Sequence, residues 1–382
     1  MNIYSRDDER SIRVQRLVED WTRSGLLQQD QRERIVPELK VDLRRTNKYL
    51  RVTLFLFGFL IVNSLTGFVA VFLDFDNSAF KVLSLVASVV CFAVAQLLVR
   101  RYKLYHFGIE EAVAVAAVAF FVVFAGTIVS SNDFSTIVAF AAGALGLLVL
   151  FLRFGYMYAI IGATLLAPMI VFDINQSDTL RRLVVFALML TIFFVARERR
   201  LDHDPDHPAD IYAAVEAVAW GVMYLVANLQ ISGWVSSVDA LPAFYWATYV
   251  AIWLVPAAGL WMAMRDRQRL LLDVNILIAI VTLMSNKQYL GAEQMPWDPI
   301  LFGVLLVGVA LGLRRWLSSG PDGSRQGVVA ERLLASERAR LAQAGSAAVF
   351  APGAPAHTSH TDSGPAIGGG GRSGGAGAEG SF

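Results

Sequence analysis

The chain predicts an all-α fold: a polytopic transmembrane helix bundle of about ten spans, preceded by a small N-terminal cytoplasmic helical domain. Three observations carry this prediction. From Val52 to Leu317 the sequence is a nearly unbroken series of apolar segments separated by short charged or turn-rich links. Each is about 20 residues long, and a helix of that length crosses a hydrocarbon core roughly 30 Å thick. Only 17% of the residues are charged, against about a quarter in an ordinary soluble domain, and most of these lie in the links, the N-terminal arm and the start of the tail. Basic residues also alternate between successive links, as orientation by the positive-inside rule requires.

Residues 1–50 form the first unit. Val14, Leu17, Val18 and Trp21 recur at the spacing of an amphipathic helix face. Gly25 follows as a natural left-handed stop. A second helix is expected from Asp30 as N-cap, with Ile35, Val36, Leu39 and Leu43 on one face, and Pro37 kinking it or opening a fresh helix. Such a helical hairpin packs on itself, on the membrane, or on a cytoplasmic protein partner.

The segment RLVEDWTRSGLLQQDQRERI, residues 16–35, combines a tryptophan-bearing helix, Gly-Leu-Leu and a Gln/Asp-rich helix start, and leads into the many-span block. In this it resembles a family of prokaryotic predicted membrane proteins grouped as DUF2157, a domain of unknown function. The resemblance implies an architecture and a bacterial inner-membrane setting, with no assigned activity.

The second unit, residues 51–317, holds the spans: 52–73, 80–99, 109–130, 134–152, 154–172, 180–196, 211–230, 242–264, 270–286 and 298–317. The fourth and fifth are joined so tightly that they predict a hairpin, and those at 180–196 and 270–286 are short. Sixteen lysines and arginines fall in one set of links and four in the other, which places both termini in the cytoplasm. Gly143 and Gly146, and Gly303, Gly308 and Gly312, are expected to let helices approach closely. Residues 318–345 include a short charged helix, and 346–382 collapse to Gly, Ala, Ser and Pro, too little apolar area to fold.

Composition narrows the chemistry. A net charge of +1 gives no electrostatic case for nucleic acid. The single cysteine, Cys91, rules out an intrachain disulfide and a cysteine zinc site. There is no phosphate-cradling loop, no GxSxG and no dinucleotide fingerprint, so no cofactor is implied and an enzyme reading is weakened without being excluded.

Ionisable groups at membrane depth are the remaining pointer, since a charge there costs roughly 2.5–3.5 kcal/mol on insertion scales. Glu216, Glu111 and Asp273, with Asn275 just beyond, lie near the cytoplasmic ends of their spans. Converging, they would form a vestibule for a cation or a proton relay; separately, they are acids stabilised by the helix N-terminal dipole. EEAVAVAAVAFF at 110–121 and VEAVAWGVMYLV at 215–226 place two of them in similar surroundings. The link at 201–210 gathers His203, Asp204, Asp206 and His207, a weak divalent-metal candidate, because Pro205 and Pro208 keep both histidines off one helix face. Two functions stay open: a non-enzymatic membrane scaffold or sensor whose arm is an interaction module, and an ion or small-solute transporter using these acids.

Overall fold

The computed structural model describes residues 3–39, 41–72, 77–129, 132–173, 177–201, 209–231, 242–291, 295, 297–320, 324–325 and 328–329. It is built from helices. α1 (Arg6–Arg23) and α2 (Gln29–Ile35) are followed by a 3-10 turn (Val36–Leu39), α3 (Lys48–Phe72), α4 (Asn77–Tyr102), α5 (Ile109–Ile128), α6 (Asn132–Phe154), α7 (Met157–Phe172) and α8 (Asp178–Leu201). Then come α9 (Ala209–Ala227), α10 (Pro242–Arg265), α11 (Arg269–Tyr289) and α12 (Asp298–Ser318). Eight of these, α3 to α6 and α8 to α11, are long and apolar enough to cross a membrane, and α7 is a shorter apolar helix of 16 residues. The molecule is a multi-pass membrane protein.

α8 and α11 run to 24 and 21 residues, longer than the short apolar windows at 180–196 and 270–286. Their charged ends continue the helix past the apolar stretch, because an arginine or lysine costs little helix propensity and its long stem reaches back along apolar surface. The expected tight hairpin is present. α6 ends at Phe154 and α7 starts at Met157, with Gly155 in the left-handed region at φ 70°.

Gly143 and Gly146 sit where helices touch, since a Cβ on either would come within 2.9 Å of a neighbouring side chain, Leu166 or Val118. Gly303, Gly308 and Gly312 do not, as none meets an atom within 4 Å. At 100° per residue Gly303 lies opposite Gly312, so the three do not form one face.

Two hydrophobic cores divide the bundle. The first gathers Cys91, Ala95 and Val99 of α4, Val113, Ala114 and Ala117 of α5, and Leu150, Phe151 and Phe154 of α6. The second gathers Val185, Met189 and Phe193 of α8, Trp220, Met223 and Tyr224 of α9, and Ile252, Leu271 and Ile278 of α10 and α11.

The arm is fastened to the first core. Tyr4 and Ile12 are buried in it, and the Ile3 amide donates to the Arg153 carbonyl at 2.9 Å. The chain leading into α3 lies beside the α4–α5 link: Arg44 N–H donates to Lys103 O at 2.9 Å, and Tyr105 N–H to Arg44 O at 3.0 Å. Gln15 closes the arm, donating to Leu39 O at 2.5 Å and accepting from Arg45 at 2.7 Å.

This docking changes which face of α1 is covered. Of the expected stripe, Val18 is buried and Val14 half-buried, while Leu17 and Trp21 are exposed. Ile12 takes their place inside, joining the first core, while α1 also touches the 3-10 turn and α2, a helix that itself buries no residue. The N-cap of α2 is Gln28, two residues before the expected Asp30, and Gln28 and Gln31 form a reciprocal capping box. Pro37 lies in the 3-10 turn that ends the helix. Val328–Val329 (β2) pair antiparallel with Ser324–Arg325 (β1), and the rest of the helix expected in 318–345, like the tail, lies outside the described residues.

Candidate functional site

The start of α3, the end of α4, the starts of α5 and α9 and the end of α8 share one end of the bundle, and the membrane-depth acids are found there. They fall into two separate clusters with no residue in common.

The first cluster is built on the α4–α5 link. Lys103 and His106 adopt left-handed φ values of 53° and 51°, and Gly108 stands at 111°. A side chain at Gly108 would run into the Arg51 carbonyl, so only glycine lets α3 pass this close. The bent link aims His106 at α5. Glu111 Oε1 and Oε2 then accept from Arg51 Nη2 at 2.5 Å and Nε at 2.9 Å, a bidentate pair. His106 Nδ1 is 2.7 Å from Glu111 Oε1. An ionised carboxylate only accepts, so Nδ1 carries the proton, and the 3.1 Å approach of Arg51 Nη2 to that nitrogen is packing and not a hydrogen bond.

Glu110 beside it is fully buried. Its Oε1 accepts from the Phe107 amide at 2.6 Å, and its Oε2 has no hydrogen-bond partner. Tyr4, Tyr105 and Tyr156 line the same corner. Tyr4 meets Tyr105 edge-on at 4.9 Å, and Tyr156 stacks on Phe154 at 5.3 Å. Burial pushes all three phenols above their ordinary range, with the Glu110 carboxylate adding to the shift at Tyr4. Their unfolded counterparts ionise near about pH 10. The stability gained by keeping them neutral is therefore complete below about pH 10 and is lost as pH rises beyond it. The arm is expected to come off the bundle in alkali, with phenolate absorbance and protease access to α1 rising together.

The second cluster holds Glu216. It is 0% exposed, and its carboxylate accepts from Arg200 Nε at 2.8 Å and Arg197 Nη1 at 3.4 Å. Arg197 and Arg200 lie one turn apart on α8 and share Asp266, from the α10–α11 link, as a second acid. Two arginines and two carboxylates balance in charge.

Above Glu216, Trp220 and Tyr224 on α9 and Asn228 just past its end recur at intervals of four residues, all facing the parallel helix α11. Trp220 Nε1 donates to Asn275 Oδ1 at 2.8 Å, Tyr224 and Thr282 hydroxyls meet at 2.8 Å, and Asn228 Nδ2 donates to Ser285 Oγ at 2.9 Å. Leu229 N–H donates to the Tyr289 hydroxyl at 2.7 Å. From Trp220 to Asn228 this polar seam spans about 12 Å by helix rise. Lipid offers no hydrophobic reward for helix association, so interhelical hydrogen bonds of this kind hold helices together, at about 0.6 to 1.7 kcal/mol each. Replacing Asn275 with leucine is expected to cost about that much at one rung. A thermal shift in detergent no greater than that of an exposed control would refute the rung's contribution.

Of the sequence candidates, Glu111, Glu216 and Asn275 are buried and bonded, whereas Asp273 is exposed. Glu111 and Glu216 are taken up by different arginines and Asn275 by Trp220. His203, Asp204, Asp206 and His207 lie outside the described residues, and among those described no group of three metal-ligating side chains occurs. Arg51, Arg197 and Arg200 are among the basic link residues that read as orientation signals in the sequence, and nothing in the local pattern pairs them with acids. The four-residue recurrence of polar and aromatic residues along α9 was a legible signal for the seam. No protein-family model, curated protein or solved structure matches the chain.

Proposed function

We propose that the protein is a non-enzymatic scaffold or sensor of the bacterial inner membrane, of the kind suggested by its resemblance to the DUF2157 group. On this reading α7 and α12 are also spans, giving ten in all. Both termini are cytoplasmic, and residues 1–50 are a recognition module fixed at the membrane face. One observation carries it: the arm spends Tyr4 and Ile12 on docking and leaves Leu17, Trp21 and Leu26 uncovered, the last 61% exposed. A contiguous apolar patch on a rigidly held soluble element is what a protein partner binds. The charge balance at Glu216 agrees, since a residue held by two arginines is poorly placed to take up a cation.

The test places photo-crosslinkers at Leu17 and Leu26 in cells. A discrete protein adduct that Trp21→Ala abolishes, with membrane insertion intact, is the expected result. Adducts to lipid alone would overturn the reading. Cysteines introduced at Arg101 and Arg267 should both resist an impermeant reagent from outside, and labelling of either would overturn the orientation.

The buried seam along α9 and α11 favours one second reading, transport. It predicts solute or ion flux in proteoliposomes that Glu216→Gln abolishes.

A further inference from the structure

A groove of about 480 Å³ opens between the α6–α7 hairpin and the α8–α9 pair. Small side chains make it: Ala144 on α6, Ala163 and Ala167 on α7, and Ala196 on α8 leave space where larger residues would close the contact. The two threonines in its wall do not make it polar. Thr164 Oγ1 donates to Ile160 O and Thr191 Oγ1 to Ala187 O, each at 2.9 Å, so both hydroxyls are used within their own helices and the groove meets their methyl groups.

Charge enters at one end only, where Arg199 stands in the last turn of α8. Its neighbours Arg197 and Arg200 turn the other way, to Glu216 and Asp266. Arg199 is exposed and makes no ion pair with another described residue. From Thr191 to Arg199 the groove follows α8 for about 12 Å, most of the roughly 15 Å of hydrocarbon in one leaflet. An apolar channel one leaflet deep, capped by a guanidinium at the membrane boundary, has the shape and charge of a phospholipid with an anionic headgroup.

We propose that this groove is a binding site for such a phospholipid, taken from the leaflet on the Arg199 side. One acyl chain lies between α7 and α8, and the phosphodiester accepts from Arg199. The tail gains no hydrophobic energy by leaving other lipid. Its contribution is to fill space that would otherwise lack packing contacts. Selectivity therefore comes from the charged headgroup and its guanidinium.

Native mass spectrometry on the full chain, given equal amounts of phosphatidylglycerol and phosphatidylcholine in mild detergent, tests this. Phosphatidylcholine has the same phosphodiester, but its choline cation cancels the net charge. Wild type is therefore expected to retain one phosphatidylglycerol with about fivefold preference, the scale of about 1 kcal/mol for one basic residue facing anionic lipid. Arg199→Gln, which leaves the walls intact, should bring the preference to about one while still holding a lipid. Ala144→Phe with Ala167→Phe, checked for an unchanged elution volume, should remove the bound lipid. Equal retention of the two lipids by wild type would overturn the proposal. So would a preference that survives Arg199→Gln, or wild-type occupancy in the filled groove.

Discussion

Replacing Glu216 with alanine is expected to lower the stability of the bundle by about 3–5 kcal/mol, the cost of breaking a buried ion pair from one side. The substitution leaves Arg197 and Arg200 at the membrane boundary with Asp266 as their one remaining acid among the described residues. The pair's net worth is smaller than this figure, because much of the loss is the penalty on the stranded arginine. Removing Arg200 together with Glu216 should therefore recover part of the loss. Asp273→Ala is the control: Asp273 is exposed, and its loss should fall within about 0.5 kcal/mol of wild type. A Glu216→Ala protein that unfolds with the Asp273 control would show that the two-arginine cluster does not hold α8 to α9.

Replacing Glu111 with alanine is expected to cost about 2–3 kcal/mol, less because Arg51 is partly exposed and solvent screens what remains. The consequence differs in kind. Arg51 opens α3, and the chain just before it carries the pairing between Arg44 and the α4–α5 link. Releasing Arg51 should loosen that pairing, and the arm with it. Trypsin should then cut at the arm's arginines faster, while the spans remain protected. Glu110→Gln should do the reverse or nothing: it keeps an acceptor for the Phe107 amide and removes a buried charge whose second oxygen has no partner. If Glu111→Ala leaves the arm as protected as in wild type, the arm is held by Tyr4 and Ile12 alone.

The two clusters also explain how far a reading from residues could reach. Glu111 and Glu216 stand out because an acid in an apolar run is visible one residue at a time. Their partners are not visible in that way. Arg51 is 60 residues from Glu111, and Arg200 is 16 residues from Glu216 across a link. Both arginines already had an adequate explanation as orientation signals. The face of α1 was misassigned for a related reason: Leu17 and Trp21 fit the helix period as well as Ile12 does, and only the docking surface on α4 to α7 selects between them.

The helical fold class and the positions of the eight helices of spanning length were set by the chain itself. A helix in lipid satisfies its own backbone, so whether a segment crosses depends on its own twenty or so residues and not on its neighbours. Which faces meet is another matter. The pairing of acids with arginines, the rungs between α9 and α11, the groove beside Arg199 and the exposed patch on the arm all depend on how helices rotate and pack against one another. That choice is made by many weak contacts at once, and no single stretch of sequence contains it.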